Sequence, residues 1–156
     1  MKKLNHNKIY KQFIPTPIMK TNTIELQKPE ILRANKTLRL VNSLILPRDF
    51  AVVGSFARMT LGNPANPFCN KSDIDFAVYN KATEEIARKL MNSSYFEGLL
   101  ETDDYRLNPG SHLEFKIRGP DTTPVHIIGS LKPHHFRTAK NIGGVNYIAT
   151  DYFQLR

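Results

Sequence analysis

Two aspartates one residue apart, in Ser72-Asp73-Ile74-Asp75-Phe76-Ala77-Val78, are the residues of this chain best placed to do chemistry. Side chains alternate along an extended strand, so Asp73 and Asp75 share one face while Ile74 and Phe76 pack on the other. Carboxylates held side by side repel each other unless a cation lies between them, and for an all-oxygen site Mg²⁺ is the usual cation. Upstream, Ala51-Val-Val-Gly54-Ser55 runs an apolar segment into a Gly-Ser turn. Such a turn allows close backbone approach, and a helix starting at about Phe56 would offer N–H groups suited to phosphate. A metal binder and a phosphate binder in one unit point to nucleotide chemistry.

Several elements must hold these residues in place. From Pro29, well suited to a first helical turn, the stretch Glu30–Ile45 sets Ile31, Leu32, Leu38, Val41, Leu44 and Ile45 near one helical face. Pro47 stops that helix, and Asp49–Val53 follows as a short buried strand. The spacing then predicts a short helix from Ser55 to about Leu61, with Ser55 as N-cap and Gly62 at its end. The second strand, Asp75–Tyr79, leads to a helix over Glu84–Met91 capped by Thr83, with Ile86, Leu90 and Met91 facing the core. Residues 95–110 carry no clear pattern. Ser111–Arg118 alternates as a strand, Gly119–Thr122 is a turn, and Pro124–Leu131 returns as the second arm of a hairpin. The element mix is α+β (α/β in the looser sense), a mixed β-sheet flanked by helices.

The ordered set of an apolar strand, Gly54-Ser55, a short helix and Asp73-x-Asp75 on a second apolar strand resembles the nucleotidyltransferase superfamily, the group that includes DNA polymerase beta. The resemblance covers roughly residues 30–130 and implies a nucleotidyltransferase-like palm. It also implies transfer of a nucleoside monophosphate from a nucleoside triphosphate to a hydroxyl, on a nucleic acid end, a protein or a small molecule. Asp73 and Asp75 would be catalytic and would bind Mg²⁺ (or Mn²⁺), and Gly54 and Ser55 would hold the β- and γ-phosphates. Arg58 and Lys71 would offset phosphate charge.

Two features depart from the family pattern. Seventeen residues, 56–72, separate Ser55 from Asp73, a longer gap than usual, and the excess falls in the turn-rich stretch Thr60–Asn70. The later strand reads Thr123-Pro-Val-His126-Ile-Ile-Gly129, which sets His126 where the family carries a third carboxylate. His126 as a general base, or Glu114 from the partner strand, would then complete the catalytic group. The alternative is a catalytically degenerate nucleotidyltransferase fold that binds nucleic acid or protein. The helical second domain of polymerase-type relatives is not found, although Thr150–Arg156 looks like the start of a helix. The expectation is a minimal member or one completed by a protein partner.

With 156 residues, 40% hydrophobic and 23% charged, the chain has the make-up of one globular domain. The single Cys69 excludes an internal disulfide framework and fits a reducing cytoplasm. No apolar run approaches the roughly 20 residues that span a bilayer, so no membrane association is expected. Richness in Asn and Lys fits an AT-rich genome such as that of a phage or other virus, with the host cytoplasm as location. The net charge of +8 is concentrated at the start: residues 1–40 hold nine basic residues against two acidic, leaving +1 for the remainder. The expected organisation is a basic, partly extended arm over 1–29, able to contact RNA or another nucleic acid, and a domain over 30–156 of the nucleotidyltransferase-like kind that the resemblance implies. The histidines other than His126, namely His6, His112, His134 and His135, together with Cys69, show no zinc-ligand spacing.

Overall fold

A computed structural model describes residues 28–62, 68–69, 71–102 and 112–150. Residues 1–27, most of the expected arm over 1–29, and the residues from Asp151 onward therefore lie outside the described residues, as does the centre of the loop between Gly62 and Phe68. Helix α1 (Pro29–Leu44) is followed by a 3₁₀ turn (Pro47–Asp49), strand β1 (Phe50–Val53), helix α2 (Gly54–Thr60) and strand β2 (Ile74–Tyr79). Helix α3 (Thr83–Met91), strand β3 (Phe96–Thr102) and the strands β4 (His112–Ile117) and β5 (Val125–Leu131) come next. A 3₁₀ turn (Pro133–Arg137) leads to the short strands β6 (Lys140–Ile142) and β7 (Val145–Tyr147). The seven strands form one mixed sheet in the order β3-β4-β5-β2-β1-β7-β6. β2 runs antiparallel to β1 and parallel to β5, while β4 and β5 are an antiparallel pair.

The pleat sorts residues onto two unlike faces. Phe50 and Val52 of β1, Ile74, Phe76 and Val78 of β2, Leu113 and Phe115 of β4, and Val125 and Ile127 of β5 belong to the main core. Ile31, Ala34, Leu38 and Val41 from α1, Ile45 just after it, and Ile86, Ala87 and Leu90 from α3 join them. Phe50 and Phe76 meet edge to face, their ring centroids 5.3 Å apart. The opposite face carries a smaller cluster of Ala51, Val53, Ala77, Ile128, Leu131 and Ile148. α1 also fixes the hairpin, because Thr37 Oγ1 accepts the Thr123 N–H at 2.9 Å and Lys36 Nζ donates to the Pro120 carbonyl at 3.2 Å.

Several local expectations are corrected. Leu32 is 55% exposed, because the buried stripe of α1 follows Ile31, Ala34, Leu38, Val41 and Ile45 and position 32 falls outside it. Asp49 belongs to the 3₁₀ turn, so β1 starts at Phe50. Ser55 is not the cap of α2: the cap position is Val53 and no side chain bonds there. Nor does Thr83 cap α3. It opens the helix, and its hydroxyl donates back to the Tyr79 carbonyl at 3.2 Å. Gly62, at φ +81°, follows the end of α2 as expected. The unpatterned region contains β3, and residues 140–147 form a hairpin at the far edge of the sheet.

Candidate functional site

The site grows from the strand register at one end of β2 and β5. A turn in which the Ser72 N–H bonds the Cys69 carbonyl, and Ser72 Oγ accepts from the Cys69 N–H, delivers the chain into Asp73. The Ile74 N–H then bonds the Pro124 carbonyl at 2.9 Å, which locks the start of β2 against the start of β5. From there Asp75 pairs with His126 across the parallel ladder, and Glu114 pairs with the same His126 across the antiparallel one. Residues directly opposite in a sheet present their side chains on the same side. Asp75, His126 and Glu114 thus form a row over three strands, on the face away from the main core. Asp73 sits one residue before β2 and joins them by alternation.

Distances bring three of these groups to one point. His126 Nδ1 lies 2.9 Å from Asp75 Oδ1 and 3.8 Å from Asp73 Oδ2. One ligand atom from each of Asp73, Asp75 and His126 falls within 4.8 Å of the others. Glu114 is not in that group, though its charge acts on both Asp73 and His126. Asp75 and His126 are each 8% exposed, whereas Asp73 keeps more of its surface open. The neighbouring Gly54 has φ +71°, and a Cβ there would fall on Asp75 Oδ2. Glycine is required at this position twice over: for the left-handed backbone and for the room that the carboxylate occupies.

The electrostatics follow from crowding like charges in a partly buried place. Burial, then the charge of Asp75, pushes the Asp73 carboxyl up to about 6. For His126, burial opposes the charged imidazolium, yet the hydrogen bond to Asp75 and the charges of Asp75, Asp73 and Glu114 prevail and raise it above the ordinary histidine value. The protonated form of His126 is thereby favoured, and its charge offsets part of that of the carboxylates. The donor set suits a divalent cation: two carboxylate oxygens and one imidazole nitrogen converge, and the charge they gather calls for a positive partner.

The remaining residues singled out in the sequence are less central. Gly54 donates its own N–H to the Thr150 carbonyl at 2.8 Å, so it serves the site by leaving space rather than as a donor. Ser55 is half-buried at the start of α2. Arg58 is buried in the last turn of α2 and is no solvated surface charge, while Lys71 is exposed two residues before Asp73. One neighbour escaped the sequence reading: the His112 ring stands edge-on to His126, centroids 5.1 Å apart at 90°. The alternation His112-Leu-Glu114 places it on the Glu114 face and was the available signal. Among the described residues, no helix is long and apolar enough to cross a membrane.

Neither a protein-family model nor a curated protein matches this sequence. Among solved structures, the chain is similar to a proposed nucleotidyltransferase from Thermotoga maritima. The two share 16% identity and a TM-score of 0.50, over 77% of this chain and 80% of that one. At this identity the likeness shows the fold, and the fold is the nucleotidyltransferase-like α+β arrangement: a mixed sheet flanked by helices.

Proposed function

We infer that this protein is a metal-dependent nucleotidyltransferase, moving a nucleoside monophosphate from a nucleoside triphosphate onto a hydroxyl acceptor. The observation that carries this reading is the convergence of Asp73, Asp75 and His126 beside the Gly54 turn of a nucleotidyltransferase-like fold. Asp73 and Asp75 would hold the cation, with His126 standing in the position of a third carboxylate. When bound, the cation supplies charge neutralisation for the transferring phosphoryl group. The chain's own residues do the rest. Ser55, at the start of α2, would receive the triphosphate tail, and Lys71 and Arg58 would offset its charge. Glu114 or His126 would accept the proton of the attacking hydroxyl. The basic start of the sequence, +7 over residues 1–40, favours a nucleic acid as the acceptor.

The test is incorporation of label from each α-labelled triphosphate into oligonucleotide ends, protein and small hydroxyl compounds, with and without divalent cation. Label transfer by the native chain and its loss in Asp73→Ala supports the reading. Equal transfer by both would remove it. A second reading has one specific observation in its favour: His126 bonds Asp75 at the place of a third acid, which would let the site persist as an internally neutralised, non-catalytic unit. Such a protein would bind oligonucleotide or a protein partner and transfer nothing. Its thermal stabilisation by oligonucleotide would weaken steeply with salt and ignore divalent cations.

A further inference from the structure

We propose that the site formed by Asp73, Asp75 and His126 takes a divalent transition-metal cation in preference to Mg²⁺, with His126 Nδ1 as a direct ligand. This rests on the reading of the cluster as a metal site and specifies which chemical class of cation it holds. Three observations support it. First, the nitrogen that faces the carboxylates is identified: Nδ1 lies 2.9 Å from Asp75 Oδ1 and 3.8 Å from Asp73 Oδ2, so the ring is already turned toward the position between them. Second, the 2.9 Å spacing matches one edge of a coordination octahedron, about 3.0 Å when metal–ligand bonds are near 2.1 Å, and the 3.8 Å spacing to Asp73, the more open group, is wider than that edge. Third, the β5 ladder holds His126 directly opposite Asp75, so the backbone keeps the imidazole beside that carboxylate.

The donor chemistry then decides the cation. Mg²⁺ demands a near-ideal octahedron of oxygens and coordinates imidazole poorly, whereas Mn²⁺, Fe²⁺, Co²⁺ and Zn²⁺ accept nitrogen readily. A carboxylate in place of His126 would complete an oxygen site for Mg²⁺. The imidazole removes one negative charge and one oxygen, which costs Mg²⁺ most. Glu114, opposite His126 in the antiparallel ladder, adds a further negative charge near the imidazole.

The test uses the whole chain, stripped of metal by chelation and titrated with Mg²⁺, Mn²⁺ and Co²⁺ by calorimetry. In parallel, Mn²⁺ in the site is examined by pulsed electron paramagnetic resonance for coupling to ¹⁴N. The expected results are a ¹⁴N coupling in the native chain and its absence in His126→Asp. That substitution should also lower the Co²⁺-to-Mg²⁺ affinity ratio by at least tenfold. A native chain that binds Mn²⁺ without nitrogen coupling would overturn the proposal, as would a ratio left within twofold by His126→Asp. If His126→Asp fails to fold, by far-ultraviolet circular dichroism, the spectrum of the native chain decides alone. Asp73→Asn, at the more open ligand, then checks that the signal arises in this site. Nitrogen-coupled metal in a chain that transfers no nucleotide would keep this inference while refuting catalysis. Nucleotide transfer with nitrogen-free Mn²⁺ would do the reverse.

Discussion

The two faces of the central sheet are built from the same strands yet obey different rules. On the helix-covered face, Ile74, Phe76, Leu113, Phe115, Val125 and Ile127 are closed off from solvent and interlock with α1 and α3. One residue along each strand, on the other face, stand Asp75, Glu114 and His126, a row of titratable groups. The pleat therefore keeps stability and chemistry apart within a distance of one residue. Burial of apolar area stabilises the first face. On the second face the charged row costs free energy, because like charges are crowded into a partly buried place, and it persists because the main core and the smaller apolar cluster beside it hold the strands in register.

Adjacent residues give the sharpest test of that division. Asp75→Ala should lower nucleotide transfer by roughly 10³-fold or more, equivalent to several kcal/mol of lost transition-state stabilisation. Its unfolding free energy should change by no more than about 2 kcal/mol, since the lost bond to His126 is partly offset by relief of repulsion with Asp73. Phe76→Ala should do the opposite, costing about 3–5 kcal/mol of stability by emptying a core position. The fraction that remains folded should still bind metal. Urea unfolding and labelled-triphosphate incorporation on the same two variants check both. Comparable loss of stability in the two would break the comparison.

The same division explains what the sequence made legible. The site strand was readable because Asp73-Ile-Asp75-Phe76 alternates cleanly, and the hairpin because Ser111–Arg118 does so around an obvious turn. His126 falls in register with Asp75 in the regular stretch where Ile74–Ala77 pairs with Val125–Ile128, before the register shifts between Ala77 and Tyr79. β3 was not readable: its pairing with β4 shifts between Phe96 and Gly98 and again between Leu99 and Glu101, so the two-residue period is lost. β6 and β7 are three residues each, too short for any period. Leu32 misled because an apolar residue beside a stripe looks like part of it, and Ser55 and Thr83 because cap-type residues also occur inside first turns. Spacing along the chain gives no sign of the role of His112. Its neighbour His126 comes from the facing strand.

Gly54 joins the two faces, since it follows a core strand and abuts Asp75. Gly54→Ala places a Cβ against the Asp75 carboxylate and forces alanine into φ +71°, at a cost of about 1–3 kcal/mol. The larger consequence should be chemical: displacement of Asp75 should abolish the thermal stabilisation given by added divalent cation. A Gly54→Ala chain that keeps that shift would show that the carboxylate does not need the space.

Acid and base should separate the faces as well. Asp73, raised to about 6, and His126, also raised, both favour their protonated forms in the metal-free fold. Their contribution to stability is full at low pH. It is lost as pH rises, through about 6 for Asp73 and above the ordinary histidine range for His126. Metal must displace these protons, so the melting-temperature gain on adding cation should grow from pH 5 to pH 8. The core face should stay silent until Tyr147, whose phenol burial pushes up to about 12, loses its proton. That contribution is intact below pH 10 and lost as pH rises through 12. A cation effect that is flat between pH 5 and 8 would separate the site from these two groups.

The smallest effect should come from charged residues that share the site's face without belonging to the site. Lys116 lies two residues beyond Glu114 on β4, and its Nζ meets Glu97 Oε1 of β3 at 3.2 Å, with both side chains nearly half exposed. An exposed pair of this kind gains little, because water screens the attraction and two long side chains lose freedom to form it. Lys116→Ala should therefore shift unfolding by less than about 1 kcal/mol, and less still at high salt, while metal affinity stays put. Calorimetric titration with Mn²⁺ at low and high salt measures this directly. If removing Lys116 altered metal affinity several-fold, the charge row would have to extend beyond Glu114 to the sheet edge. The site would then be a property of the whole open face rather than of the cluster where β2 meets β5.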